Sequence, residues 1–244
     1  MADGKADGPG GAVLNQGTLL IQDSTPRNNQ ATDVNAGGAL ANDFDAHMTI
    51  ENSVIEDNQA TDAGAIYTRG VLTITASTLR DNMAHNILNG NFGGGAILQE
   101  MAENAHTFIA DSLIVDNQAG TGAPGGGVGL LTGSLRIENS TLERNVGSAS
   151  GGALHIAAGA SAEVLRSRLI DNRTLPADSA NNFLGGAIYN HGVLLVEDGT
   201  LSGNQATDGG ALFSGGAGSQ LTLRRSTVSG NTASGGHPCP SSGF

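Results

Sequence analysis

The chain has 244 residues and a formal net charge of −12, and Lys5 is its only lysine. That balance excludes a basic nucleic-acid footprint and any electrostatic pull toward an anionic membrane. With 38 Gly, no Trp, two Tyr and six Phe, the composition suits a narrow interior with many tight turns better than an ordinary globular core.

Residues 1–9 hold no apolar run of the kind a secretory signal needs, and a flexible segment is expected there. The repeat pattern starts abruptly at Gly10, so we expect a boundary within a longer protein. No stretch approaches the ~18 apolar residues of a membrane span. Cys239 is the only cysteine, so no intrachain disulfide can form, and its tail position suits an inert thiol.

From Gly10 onward one pattern recurs eight times: Gly-Gly-Ala-apolar, a polar turn, an alternating apolar run, a second turn, then apolar-x-x-Asn. Gly185-Gly186-Ala187-Ile188 through Asn204 is its cleanest copy. The anchoring glycines are read as Gly11, Gly38, Gly64, Gly95, Gly127, Gly152, Gly186 and Gly210. The closing asparagines are Asn29, Asn58, Asn82, Asn117, Asn145, Asn172, Asn204 and Asn231. A varying period around a fixed internal motif means loops of different length on a constant scaffold.

Runs such as Val71-Leu72-Thr73-Ile74 alternate with period two, and turn pairs such as Asn52-Ser53 follow them. Helical spacing never persists. The expectation is an all-β fold: a single right-handed parallel β-helix over residues 10–234, with three short strands in each of about eight coils. At ~4.8 Å between paired strands the rod is about 40 Å long. Residues 235–244 read as a tail or the start of a ninth coil. An Asn at one corner of every coil can donate its amide to the next and accept from the one before, forming an asparagine ladder.

The position after the Ala is expected to face the core: Val13, Leu40, Ile66, Ile97, Gly129, Leu154, Ile188 and Leu212. The next position should face solvent: Leu14, Ala41, Tyr67, Leu98, Leu130, His155, Tyr189 and Phe213. This second column is a candidate contact stripe, unless a loop folds over it. Two long loops follow Asn82 and Asn172, and they would wall a groove across coils four and five. With them come further candidate contacts at His85, Phe92 and Phe183.

Gly94-Gly95-Ala96-Ile97 and Gly185-Gly186-Ala187-Ile188, paired with Leu79-Arg80-Asp81-Asn82 and Leu201-Ser202-Gly203-Asn204, resemble the GGAI and FxxN repeats of chlamydial polymorphic outer membrane proteins. An aliphatic residue stands in place of the Phe. The pattern is similar, too, to the wider class of bacterial surface proteins with parallel β-helix repeats. The resemblance spans Gly10 to Asn231 and implies a surface adhesin. The same scaffold also carries polysaccharide lyases, epimerases and phage fibres.

Lyases of that kind, as the scaffold implies, need carboxylates around calcium and a basic residue. The candidate set is Arg173 with Asp178 and Asp171. Asp57, Asp81 and Asp116 precede ladder asparagines, and carboxylates stacked at ~4.8 Å could hold calcium; the other reading is a solvated corner. No two histidines are spaced as a zinc pair. Thr73, Thr75, Thr141 and Thr222 make no regular array for ice binding.

The expectation is a non-catalytic extracellular or cell-surface module, without cofactor, for adhesion or self-association. Its partners would be a host or neighbouring-cell ligand, a polysaccharide or a second copy, with neither nucleic acid nor direct membrane insertion. The alternatives are a polysaccharide-degrading enzyme and a fragment of a longer surface fibre.

Overall fold

The computed structural model describes residues 1–34, 36–85, 93–100, 104–175 and 184–235. These form a parallel β-solenoid of about eight coils with no helix among the described residues. Each coil has four strands rather than the expected three. The extra one is a two-residue strand directly after each ladder asparagine, such as Gln59–Ala60 and Gln205–Ala206, too short to separate from a turn by periodicity.

The strands stack into four faces. The first holds the three-residue strands after the Gly pair, from Val13–Asn15 to Leu212–Ser214. The second holds the five-residue strands, from Thr18–Gln22 to Gln220–Arg224. The third runs from Val54–Glu56 to Thr227–Ser229, and the fourth from Lys5–Ala6 to Thr232–Ala233. Lys5 and Ala6 pair in parallel with Gln30 and Ala31, so regular structure begins before residue 10.

One aliphatic core runs the length of the solenoid. Leu40, Ile66, Ile97, Leu154 and Ile188 enter it from the first face. Leu72 and Ile74, or Leu194 and Val196, enter from the second. Ile55, Leu79, Ile114, Leu142, Leu169 and Leu201 enter from the third, and these are the apolar residues three positions before each ladder Asn. The fourth face contributes small residues such as Ala60, Ala84 and Ala119, because the glycine column packs directly on its backbone. A Cβ on Gly64 would lie 2.0 Å from Gly95 O and 2.5 Å from Met83 N, so the pinch admits no side chain.

Coil five corrects one alignment. The run Gly125-Gly126-Gly127-Val128-Gly129 offers two registers, and the pairing Ile97↔Val128↔Leu154 selects the one in which Gly126 is the anchor. Val128, not Gly129, enters the core there. Gly129 takes the outward position, and Leu130 is buried in the next inward one.

The asparagine ladder runs unbroken. Asn29, Asn58, Asn82, Asn117, Asn145, Asn172 and Asn204 each donate from Nδ2 to Oδ1 of the next, at 2.9–3.1 Å. A second ladder, not anticipated from the sequence, runs along the corner before the third face. The backbone N–H of Ser24, Ser53, Ser77, Ser112 and Ser140 each donates at 3.1 Å to the serine Oγ one coil on. These rungs satisfy donors at bends that strand pairing cannot reach.

Candidate functional site

The outward column of the first face is not one exposed stripe. In its first half Ala41, Tyr67 and Leu98 are buried, at 1%, 3% and 0% exposure. Tyr67 and Leu98 pack with Ala63 and Leu131 in a small cluster outside the main core. The Tyr67 hydroxyl donates to the Glu100 carboxylate and accepts from Arg69 Nε at 2.8 Å. The Arg69 guanidinium also lies 4.8 Å from the Phe44 ring centroid. Burial, with the Asp62 charge nearby, pushes the Glu100 carboxyl up, against the pull of the Tyr67 hydrogen bond. Burial likewise raises the Tyr67 phenol, with the Glu100 hydrogen bond adding to it. In this geometry Tyr67 ties the segment at Glu100 to the coil rather than meeting solvent.

In the second half the column stays partly exposed and becomes a stack of rings. Strand pairing sets His155 beside Tyr189 and Tyr189 beside Phe213. The His155 and Tyr189 centroids are 4.9 Å apart with planes 11° apart, and Tyr189 and Phe213 are 5.4 Å and 8° apart. The strand spacing of a parallel sheet, ~4.8 Å, is itself close to an aromatic stacking distance, so the scaffold sets the geometry.

Two side chains fix the polar edge of the stack. His191 Nε2 is 2.6 Å from the Tyr189 hydroxyl, and His155 Nδ1 is 2.9 Å from Ser150 Oγ. Burial, and next the charge of His191, lower the His155 pKa to about 3, so the ring is neutral through the physiological range. Burial raises the Tyr189 phenol. The result is a partly exposed stack of His155, Tyr189 and Phe213 in which the His155 ring is neutral and the Tyr189 hydroxyl is held by His191.

The other sequence-derived candidates lie elsewhere. His85 sits on the fourth-face side, with Nε2 at 3.2 Å from Gln59 Oε1. Phe92, Phe183 and Asp178 lie outside the described residues, as does most of the two loops expected to wall a groove.

Asp57, Asp81, Asp116 and Asp171 do form one column, and their backbone explains their type. All four have φ between 54° and 56°, a left-handed corner that Asp and Asn tolerate better than most residues. Arg144 occupies the same corner at φ 51° and forms a bidentate pair with Asp116 at 2.8 Å on both arms. Burial, then the charges of Asp116 and Asp57, raise the Asp81 carboxyl. Among the described residues, no group of three or more His, Cys, Asp or Glu is placed to hold a metal ion.

Arg173 projects from the fourth face into an open hollow of about 440 Å3 that Asp171, Asp116 and Arg144 also line. Its acid–base set would need Asp178, which is not described.

The fold and this patch define the class: a parallel β-solenoid with an internal asparagine ladder and an aromatic stack on one outer face. No protein-family model, curated protein sequence or solved structure matches the chain.

Proposed function

We propose that the chain is a non-catalytic extracellular or cell-surface module that presents a rigid solenoid face for adhesion. The observation that carries this reading is the His155–Tyr189–Phe213 stack. It is partly exposed, uncharged and held by strand register, so docking costs little conformational entropy. Aromatic groups with a polar edge are enriched at contact surfaces for that reason. The GGAI- and FxxN-like repeats point the same way, toward bacterial surface adhesins, and the net charge of −12 keeps such a module apart from nucleic acid.

The competing reading is a polysaccharide-degrading enzyme acting at Arg173 and Asp171, favoured by the hollow they share. Immobilised acidic and neutral polysaccharides and whole-cell surfaces, each with and without calcium, separate the two. Retention on whole-cell surfaces without fragment release, falling at least tenfold in a Tyr189→Ala/Phe213→Ala variant, supports the adhesion module. Release of fragments that stops in Arg173→Ala would overturn it.

A further inference from the structure

A second outer face carries a larger and chemically different feature. The five-residue strands of the second face point residues one, three and five of each strand outward. His106, Ser134, Ser161, Val193 and Gln220 are the first outward residues of five consecutive strands, in direct register. The two serines are short where their neighbours are long, and a trough of about 570 Å3 forms over them. Its floor is reached at Leu135, Ala162 and Leu194, whose side chains turn into the core. Five strands at ~4.8 Å spacing give it a length of ~19 Å along the solenoid axis.

The charges at the trough cancel internally. Arg136 Nη1 is 2.7 Å from Glu163 Oε2, and Arg136 also pairs with Glu138. Arg224 at the far end lies 3.6 Å from Glu197. The hollow therefore offers neither an unpaired cation for an anionic ligand nor an open carboxylate for a cationic one. A second copy of this chain, or any acidic polymer, meets the repulsion of a −12 surface.

What remains uncommitted is neutral hydrogen-bonding capacity. Ser161 Oγ, the Gln220 amide and the Thr222 hydroxyl face outward and pair with no other described residue. Ser134 Oγ is engaged by His106 Nδ1 at 2.8 Å. Between these polar points Val193, 45% exposed, and Leu195 make a short apolar step. Hydroxyl and amide points on either side of an apolar step, in a trough whose Arg and Glu side chains are paired, match a chain that presents hydroxyl edges and C–H faces.

We propose that this trough binds a neutral, hydroxyl-rich saccharide chain lying along the solenoid axis. The site is separate from the aromatic stack on the first face. Strand pairing fixes the backbone positions and spacing of these points before binding.

The test is affinity electrophoresis of the whole chain through gels holding a neutral α-glucan, a neutral β-glucan, a neutral mannan or, as the anionic control, polygalacturonate. At least one neutral polymer is expected to retard the protein. Ser161→Tyr, which fills the trough from an exposed position, should weaken retention at least tenfold, and Gln220→Ala/Thr222→Val should weaken it severalfold. Thr18→Ala, exposed on the same face but outside the trough, should leave it unchanged. No retention by any neutral polymer, equal or stronger retention by polygalacturonate, or retention unaltered in both trough variants overturns the proposal. Retention lost in Tyr189→Ala but kept in both trough variants assigns the sugar to the stack instead and leaves the adhesion reading standing. The double variant decides the matter if Ser161→Tyr does not fold.

Discussion

Asn145 Oδ1 accepts two hydrogen bonds from Asn117, one from the side-chain amide at 3.0 Å and one from the backbone N–H at 3.1 Å. Both residues are at 0% exposure. Removing that one oxygen leaves the buried backbone N–H of Asn117 without its acceptor, whereas the Asn117 amide keeps Leu79 O and Val115 O, each at 3.0 Å. At ~1–3 kcal/mol for an orphaned buried group, Asn145→Ala is expected to cost ~1–3 kcal/mol. Urea denaturation followed by circular dichroism checks this. A loss below about 1 kcal/mol would mean that water or a shifted rung replaces the bond.

The glycine column gives a contrast between two substitutions of the same kind. A Cβ at Gly186 would sit 2.0 Å from Gly210 O and 2.6 Å from Gln205 N, all backbone. Gly186→Ala must push neighbouring coils apart and should abolish folding or cost more than the ~1–3 kcal/mol usual for overpacking. At Gly17 a Cβ meets nothing within 4 Å, and φ is not positive. Gly17→Ala is expected to stabilise by ~0.4–1 kcal/mol through the unfolded chain. Thermal melts of the two variants decide this pair.

Backbone conformation also predicts gains. Ala76 holds φ at 47°, where its column neighbour one coil earlier is Asn52 and one coil later is Asp111. Ala lacks the local hydrogen bonding that eases Asn into this region, so Ala76→Asn should stabilise by ~0.5–1 kcal/mol. A melting temperature that does not rise would mean that the corner is already relaxed at Ala76.

Asp81 couples the same conformation to charge. Its carboxyl is raised by burial and by Asp116 and Asp57, so the folded chain binds this proton more tightly than the unfolded chain does. Stability from this group is therefore gained as pH falls through the raised pKa and is missing at neutral pH. Asp81→Asn keeps the left-handed preference and removes the repulsion. It should raise the melting temperature at pH 7, with the advantage shrinking in acid as the wild-type carboxyl protonates. An advantage constant with pH would assign the effect to the amide instead.

The features legible in the sequence are those where one coil position imposes one residue type. Gly64, Asn82 and Leu79 sit where only a missing side chain, an amide or an aliphatic fits, so the coil count and the ladder can be read off directly. Gly126 and Gly127 could not be told apart, because coil five replaces the Ala with a third glycine and only strand pairing breaks the tie. The serine ladder at Ser53, Ser77, Ser112, Ser140 and Ser167 was in plain view at coil spacing, each serine two positions after the five-residue strand ends. Its role stayed hidden because the donors it satisfies are backbone groups. Tyr67 and Tyr189 share a sequence position yet differ in exposure. Tyr67 packs with Leu98 and Leu131 and is bonded by Glu100 and Arg69, neighbours that a repeat position does not specify. The trough over Ser134 and Ser161 depends on side-chain length across neighbouring coils, which needs the register of the second face before it can be seen.

His155 offers a direct test of the stack. Its neutral ring is packed against Tyr189, and its pKa is lowered from the usual 6.5 to about 3. The sign follows from linkage: below pH 6.5 the unfolded chain gains a proton that the folded chain does not, so this residue costs stability progressively as pH falls toward 3. His155→Phe keeps a ring in the stack and removes the titration. The variant should therefore hold its melting temperature better than the wild type between pH 6 and pH 4, and the two should run parallel above pH 7. Nuclear magnetic resonance of the imidazole should show no titration of His155 down to pH 5. A midpoint near 6.5 would mean that solvent reaches the ring face, that the stack is open, and that the neutral patch on which the adhesion reading rests does not form.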